Sequence, residues 1–325
     1  MTTPFESDLD QVAANHLPLS PVDFLAQAAT VFRDRDAVVH GELRYCYGEL
    51  RNRCESLARA LVARGVGRGD TVSIIAPNVP AHLEAHFGVP MAGAVLNSIN
   101  IRLDAATIGY ILDHGECDVL LVDAQFADVA AEALKNCSRA PLVVDLDDPL
   151  GPQGVAIGAL NYEALLAEAD AATAIPPLAD EWQSLALNYT SGTTGKPKGV
   201  VYHHRGAYLN AIGNSLAWNM TQNPVYLWTL PMFHCNGWCF PWTITMQGGT
   251  HACLREVAAE PIFESLALHG VTHMCGAPIV LGMLASAPEQ LRSKLPDGLQ
   301  IMTAVSYTHL TLPTIRRGWC GGGGG

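Results

Sequence analysis

The sequence predicts an α/β protein built of layered, mainly parallel sheets flanked by helices. Strand-length apolar runs alternate with helix-like segments along most of its 325 residues, the order that right-handed crossovers between parallel strands produce. The runs are near-continuous in apolar residues, Val119-Leu120-Leu121-Val122 being one, as strands covered on both faces require. Apolar residues make up 49% of the chain and charged residues 15%, enough core for one large domain or two ordinary ones.

In chain order, Ser20-Pro21 opens a helix, with Ser as N-cap and Pro at the first helical position. Phe24, Leu25, Ala28 and Phe32 share its inner face. Residues 37–47 read as a hairpin turning at Gly41-Glu42. Residues 47–64 form an amphipathic helix with Leu50, Cys54, Leu57, Ala58, Leu61 and Val62 on its stripe, ended by Gly65. Strands follow at 71–75, 94–96, 119–122 and 142–144, separated by helices at 80–87, 105–114 and 126–135. The first of these helices continues past Pro90 with a break. Past a looser region, a helix is expected at 203–218, a strand at 225–230 and a helix at 237–246 kinked near Pro241. Strands at 250–254, 272–275 and 299–305 then alternate with helices at 261–268 and 279–284.

Residues 145–158 and 170–177 are rich in loop formers. They predict two sheet subdomains meeting near 145–180 within one partial domain, 1–305. The rhythm then stops. Residues 306–325 end in five glycines and are expected to be a non-native tail, similar to translated adapter sequence followed by a homopolymer.

The net charge of -12 argues against a nucleic-acid partner, since phosphate contacts need clustered Lys and Arg. The polar, acidic start has no secretory pattern, and no apolar run has the length of an integral membrane segment. Nine scattered cysteines read as reduced thiols in a cytoplasmic protein.

The most specific stretch follows the apolar run Leu185-Ala186-Leu187. It reads Tyr189-Thr190-Ser191-Gly192-Thr193-Thr194-Gly195-Lys196-Pro197-Lys198-Gly199. Glycines let backbone N–H groups turn inward, hydroxyls add donors, and lysines supply positive charge, which together suit a polyphosphate. Placed between a strand and a helix-like run, the stretch suits a polyphosphate, and a flexible polar surface loop is the plainer alternative for such a composition. Counting from Gly192, Pro197 occupies the place of the second Walker A glycine, so this is a different phosphate loop. No kinase-type string accompanies it. Presenting the α-phosphate to a carboxylate asks for less: positioning, neutralisation of the leaving pyrophosphate and exclusion of water.

Two further stretches carry chemistry. Leu230-Pro231-Met232-Phe233-His234-Cys235-Asn236-Gly237-Trp238 delivers a histidine at a strand end. A zinc reading through His234, Cys235, Cys239, His251 and Cys253 lacks paired ligand spacing. A packed strand-end histidine is the plainer alternative. Trp238, Phe240 and Trp242 read as core or pocket wall, with Phe240 and Trp242 nearer to core. The turn Gly276-Ala277-Pro278 between strand and helix reads equally as an ordinary turn or as a small-residue wall with room for an acyl tail.

The string Ser191-Gly192-Thr193-Thr194-Gly195-Lys196-Pro197-Lys198-Gly199 resembles the phosphate-loop signature of the AMP-forming adenylating enzymes. Asn78-Val79-Pro80, residues 88–100 and 108–114, and the two stretches above extend the resemblance from about 18 to 304, to the N-terminal domain of a medium-chain or fatty-acyl-CoA synthetase. The resemblance implies an incomplete N-terminal domain of that fold. It assigns phosphate binding to Thr190, Ser191, Gly192, Thr193, Thr194, Gly195, Lys196 and Lys198, and the acyl pocket to Phe233, His234, Trp238, Gly276, Ala277 and Pro278. Carboxylate plus ATP would give acyl-AMP and pyrophosphate, and CoA would then take the acyl group, with Mg2+ accompanying ATP. The family's Tyr-Gly-x-Thr-Glu and Arg-Thr-Gly-Asp motifs, and the lid domain with its catalytic lysine, are not in the chain, so this polypeptide is expected to have negligible ligase activity. An aryl- or amino-acid adenylation domain, and a non-catalytic nucleotide-binding fragment, stand as alternatives.

Overall fold

The computed structural model describes residues 14–152, 154–190, 196–303 and the backbone of 316–317, with positions 3, 5, 7 and 9–12 ahead of them. Helix α1 (Asp23–Val31) precedes a hairpin of β1 (Asp36–His40) and β2 (Leu43–Cys46). There follow α2 (Tyr47–Ala63), β3 (Thr71–Ile75), α3 (Pro80–Met91), β4 (Val95–Ser98), α4 (Ala105–His114) and β5 (Cys117–Asp123). Next come α5 (Ala127–Leu134), β6 (Leu142–Leu146), β7 (Leu160–Asn161), α6 (Tyr162–Ala167), β8 (Ser184–Tyr189) and β9 (Gly199–His203). The remainder is α7 (His204–Trp218), β10 (Val225–Leu227), α8 (Cys235–Trp238), α9 (Phe240–Met246), β11 (Thr250–Ala252), α10 (Ala259–His269), β12 (His273–Gly276), α11 (Pro278–Ala285), α12 (Glu289–Arg292), β13 (Gln300–Thr303) and β14 (Arg316–Arg317).

Two sheets form, in the orders β14-β13-β12-β10-β11-β1-β2 and β7-β6-β5-β3-β4-β8-β9. Pairing is parallel except at β1–β2, β13–β14 and β8–β9. The structure therefore bears out an α/β fold of parallel sheets flanked by helices. Segment 145–180 is not where one sheet gives way to the other. It runs from β6 through β7 and α6 towards β8, all in the second sheet. The chain changes sheet across α2 and again across α7.

Between the sheets lie α1, α2, α3, α7 and α9, contributing Leu25, Leu57, Phe87, Ala211 and Trp242 to one core with Ile74 and Trp228. The outer face of the second sheet is covered by α4 and α5, through Ile108, Ile111, Ala130 and Ala133. The outer face of the first is covered by α10, through Ile262, Phe263 and Leu266. Successive residues on β3 and its neighbours thus serve different layers, which is why these strands are apolar on both faces. Gly88 lets α3 close on α2: a Cβ there would meet Leu57 Cδ2 at 2.7 Å.

Several expectations need correction. The first helix starts at Asp23; Ser20 instead uses its Oγ to accept the Val22 N–H and to meet His204 Nδ1 at 2.9 Å. Helix α3 runs unbroken through Pro90, which sits in its last turn. Pro90 has no N–H for the carbonyl of His86, and the indole N–H of Trp242 donates to it instead at 3.2 Å. The kink expected near Pro241 falls at Cys239, whose φ of 64° separates α8 from α9. Strand β9 and helices α6 and α12 were not expected at all.

Candidate functional site

Strand β8 carries the glycine- and hydroxyl-rich stretch, and β9 returns from it antiparallel, with Tyr189 opposite Gly199. The loop is therefore a hairpin loop, not a strand-to-helix connection, and α7 begins only after β9. Its neck is closed by the Thr190 N–H donating to the Lys198 carbonyl at 3.0 Å and the Lys198 N–H to Thr190 Oγ1 at 3.4 Å. Thr190, Lys196 and Lys198 are exposed. Ser191, Gly192, Thr193, Thr194 and Gly195 lie outside the described residues. Helix α4 braces the neck. Tyr189 Oη lies 2.7 Å from His114 Nδ1, and Lys196 Nζ sits 5.0 Å from the centre of the Tyr110 ring. Burial, and then the neighbouring Tyr110, push the Tyr189 phenol up to about 12, so it stays protonated as a hydrogen-bonding group.

The second stretch approaches from the other sheet. Asn78, just after β3, donates to the carbonyls of Trp228 and Leu230 at 2.7 and 3.1 Å and accepts the Met232 N–H at 2.8 Å. One carboxamide thus holds the segment leaving β10 against the second sheet. Phe233 is buried and His234 half-buried. Burial, then the positive charge of Arg102, lower the His234 pKa, which keeps the ring neutral near pH 7. Next come five residues in the left-handed region: Cys235, Asn236, Gly237, Trp238 and Cys239, with φ of 51°, 51°, 54°, 58° and 64°. A Cβ at Gly237 would meet the Trp228 ring at 2.6 Å. Trp238 is half-buried at the rim of the central core, while Phe240 and Trp242 are core residues. The turn packs against β8, which brings His234 and the phosphate-loop strand to one place.

Gly276 ends β12 opposite Thr303, Ala277 is half-buried, and Pro278 is the exposed first residue of α11. Strand β12 neighbours β10, so this turn lies beside the segment that leads to His234, and Thr229 Oγ1 donates to the Cys275 carbonyl across the gap. Among the described residues, no group of three or more His, Cys, Asp or Glu side chains could hold a metal ion.

Two polar clusters went unforeseen. Arg255, after β11, reaches Asp123 at 2.5 Å and Asp148 at 2.6 Å, and His40 Nε2 lies 2.9 Å from Asp148. Burial works to raise the Asp148 pKa, but hydrogen bonds from His40, the Leu150 N–H and Arg255 outweigh it and bring it down to about 2. Glu84, wholly buried on α3, accepts from Tyr45, Tyr162 and Arg53 at 2.7, 2.8 and 2.7 Å. Cavities of about 250 and 620 Å³ flank His40, the smaller reaching Tyr45, Arg53 and Tyr162 and the larger Cys253 and Arg255. Neither touches the phosphate-loop or acyl-pocket residues. Partners in these clusters stand up to 132 residues apart in sequence, so no local spacing announces them.

Comparison with known proteins adds to this geometry. Residues 25–324 match the family model described as AMP-binding enzyme. The chain is 47% identical over 310 residues to the peroxisomal acetate/butyrate–CoA ligase of Arabidopsis thaliana, covering 91% of this chain and 54% of that protein. It is 45% identical to an acetate–CoA ligase of Humulus lupulus, covering 91% and 55%. The chain spans about half the length of the curated relatives it matches. Among solved structures, the inhibitor-bound N-terminal domain of FACL13 from Mycobacterium tuberculosis superposes with a TM-score of 0.75 at 23% identity, over 89% of this chain and 76% of that one. A benzoate CoA ligase from Burkholderia xenovorans gives 0.75 at 21%, over 87% and 55%.

Proposed function

The chain belongs to the AMP-binding enzyme family, and from that premise we propose that it forms the nucleotide- and acid-binding part of an AMP-forming acid–CoA ligase. In this reading a carboxylate oxygen bonds to the α-phosphorus of ATP as the bond to pyrophosphate breaks. The CoA thiolate then attacks the acyl carbon and AMP leaves. The single observation that carries the reading is the loop neck Thr190–Lys198, with its two lysines, held beside the His234 turn. Lys196 and Lys198 neutralise the leaving pyrophosphate, and Thr190 with Ser191, Gly192, Thr193, Thr194 and Gly195 donates to phosphate oxygens. His234, neutral, positions the carboxylate by hydrogen bonding, and Phe233, Trp238 and the Gly276-Ala277-Pro278 turn bound the acyl group. Mg2+ would accompany the nucleotide and add to the charge neutralisation that Lys196 and Lys198 supply.

The acid is a short-chain one. The relatives at 47% and 45% identity carry acetate and butyrate in their names, which favours this over the medium-chain or fatty-acyl preference expected from the sequence; a relative at 41% is named for benzoate, which makes an aryl acid the second reading. Calorimetric titration of this chain with MgATP tests the nucleotide site. Lys196→Ala is expected to weaken binding about tenfold, the loss of one charge-assisted phosphate contact. Equal binding by wild type and variant would remove the loop from the site.

A further inference from the structure

The smaller of the cavities beside His40, about 250 Å³, lies where strands of both sheets end. His40 closes β1, Leu146 closes β6, and Val79 and Pro80 lead the chain into α3. The space outside the carboxyl ends of parallel strands is where open α/β sheets take ligands. Leu43, Val79, Ala81 and Leu146 give the cavity apolar walls, and Tyr45 and Tyr162 stand among them.

The polar groups of the wall decide what could enter. Donors are engaged. The hydroxyls of Tyr45 and Tyr162 donate to Glu84, and the Arg53 guanidinium is bound by Glu84 and Glu163. His40 Nε2 meets the ionised Asp148 carboxylate, which only accepts, so Nε2 carries a hydrogen. Acceptors are left over. His40 is 2% exposed, and its buried Nδ1 has no partner; in the neutral ring that nitrogen is a lone pair. The exposed Asp147 carboxylate has no partner among the described residues. Three carboxylates line the cavity, Asp147, Asp148 and Glu163, against the single guanidinium of Arg53. We propose that this cavity binds an organic ammonium on a small apolar body, the ammonium answering the free acceptors of His40 and Asp147 and the body filling the apolar walls. An anion would meet the carboxylates, and an uncharged apolar guest would leave His40 Nδ1 unpaired. The cavity touches none of the phosphate-loop or acyl-pocket residues, so this site is independent of the acid–CoA ligase reading.

Calorimetric titration of this chain with phenethylamine, and with phenethyl alcohol as its uncharged counterpart of similar shape, tests the assignment. The amine is expected to bind about tenfold or more tightly than the alcohol, the margin of one charge-assisted hydrogen bond. Leu43→Trp, at a position 45% exposed, puts bulk into the cavity and should weaken the amine about tenfold. Asp147→Asn should narrow the amine's advantage about threefold, since solvent screens that charge. Saturating MgATP should leave the amine's affinity unchanged. Both substitutions are at exposed positions, and either one carries the test if the other fails to melt cooperatively. Equal binding of amine and alcohol overturns the site, and so does an affinity that neither variant alters. Displacement of the amine by MgATP would put it in the nucleotide site and overturn this one, leaving the ligase reading intact. No binding of the amine to wild type overturns it outright.

Discussion

Gly237 sits in the middle of the left-handed turn, with the Trp228 ring where a Cβ would go. Gly237→Ala should therefore destabilise the protein by about 2–4 kcal/mol, combining the left-handed penalty with overpacking. Asn236→Gly should be neutral or stabilising at the neighbouring position, since it relieves the same backbone conformation. Thermal melts of the two variants check both directions, and a stable Gly237→Ala would mean that the turn adopts an ordinary helix in solution. The residue string after His234 was expected from the sequence to carry chemistry, but its handedness was not legible. Nothing in Cys235-Asn236-Gly237-Trp238-Cys239 beyond one glycine and one asparagine favours positive φ, and tertiary packing against Trp228 decides it.

At the scale of elements, the clamp of Arg255 and His40 from one sheet on Asp123 and Asp148 from the other joins the strand ends. Arg255→Leu leaves Asp123, 1% exposed, without its cation, and should cost about 3 kcal/mol at neutral pH. Because the Asp148 carboxyl is held down to about 2, its share of stability is present above the ordinary carboxylate range and is lost as pH falls from there towards 2. The penalty of Arg255→Leu should accordingly shrink in acid, and denaturant melts at pH 7 and pH 3 measure the difference. Elements with a strong local pattern were legible: the hairpin β1–β2, the stripe of α2, and the buried strands β3 and β5. Strand β9 was not, because Val200, Val201 and Tyr202 alternate with nothing and two of them are exposed. The clamp was not legible either, since it exists only once two sheets have met.

The whole molecule keeps neutral histidines inside. Burial lowers His82 and His204 to about 4 and His86 and His251 to about 3. His251 shows why: Trp228 Nε1 donates to its Nδ1, and its Nε2 faces Thr245 Oγ1, so both nitrogens are committed to the neutral ring. A lowered histidine leaves the unfolded chain binding more protons between its ordinary range near 6.5 and the folded value, so stability falls as pH drops through that window. Four such residues should lose several kcal/mol in sum by about pH 5. The protein is expected to unfold cooperatively between about pH 6 and 4, and a melting temperature unchanged from pH 7 to pH 5 would contradict this. The same architecture has a consequence in time. Strand β1 pairs on its inner side with β11, some two hundred residues further along the chain. At ribosomal speeds of about 5–20 residues per second, the hairpin waits on the order of 10–40 s for that partner. Strands β3 to β9 can assemble in the interval, because all their partners lie among themselves. Until β11 emerges, Val38 and Val39 present an open apolar strand edge, so slow translation before codon 250 should raise the nascent chain's demand for chaperones.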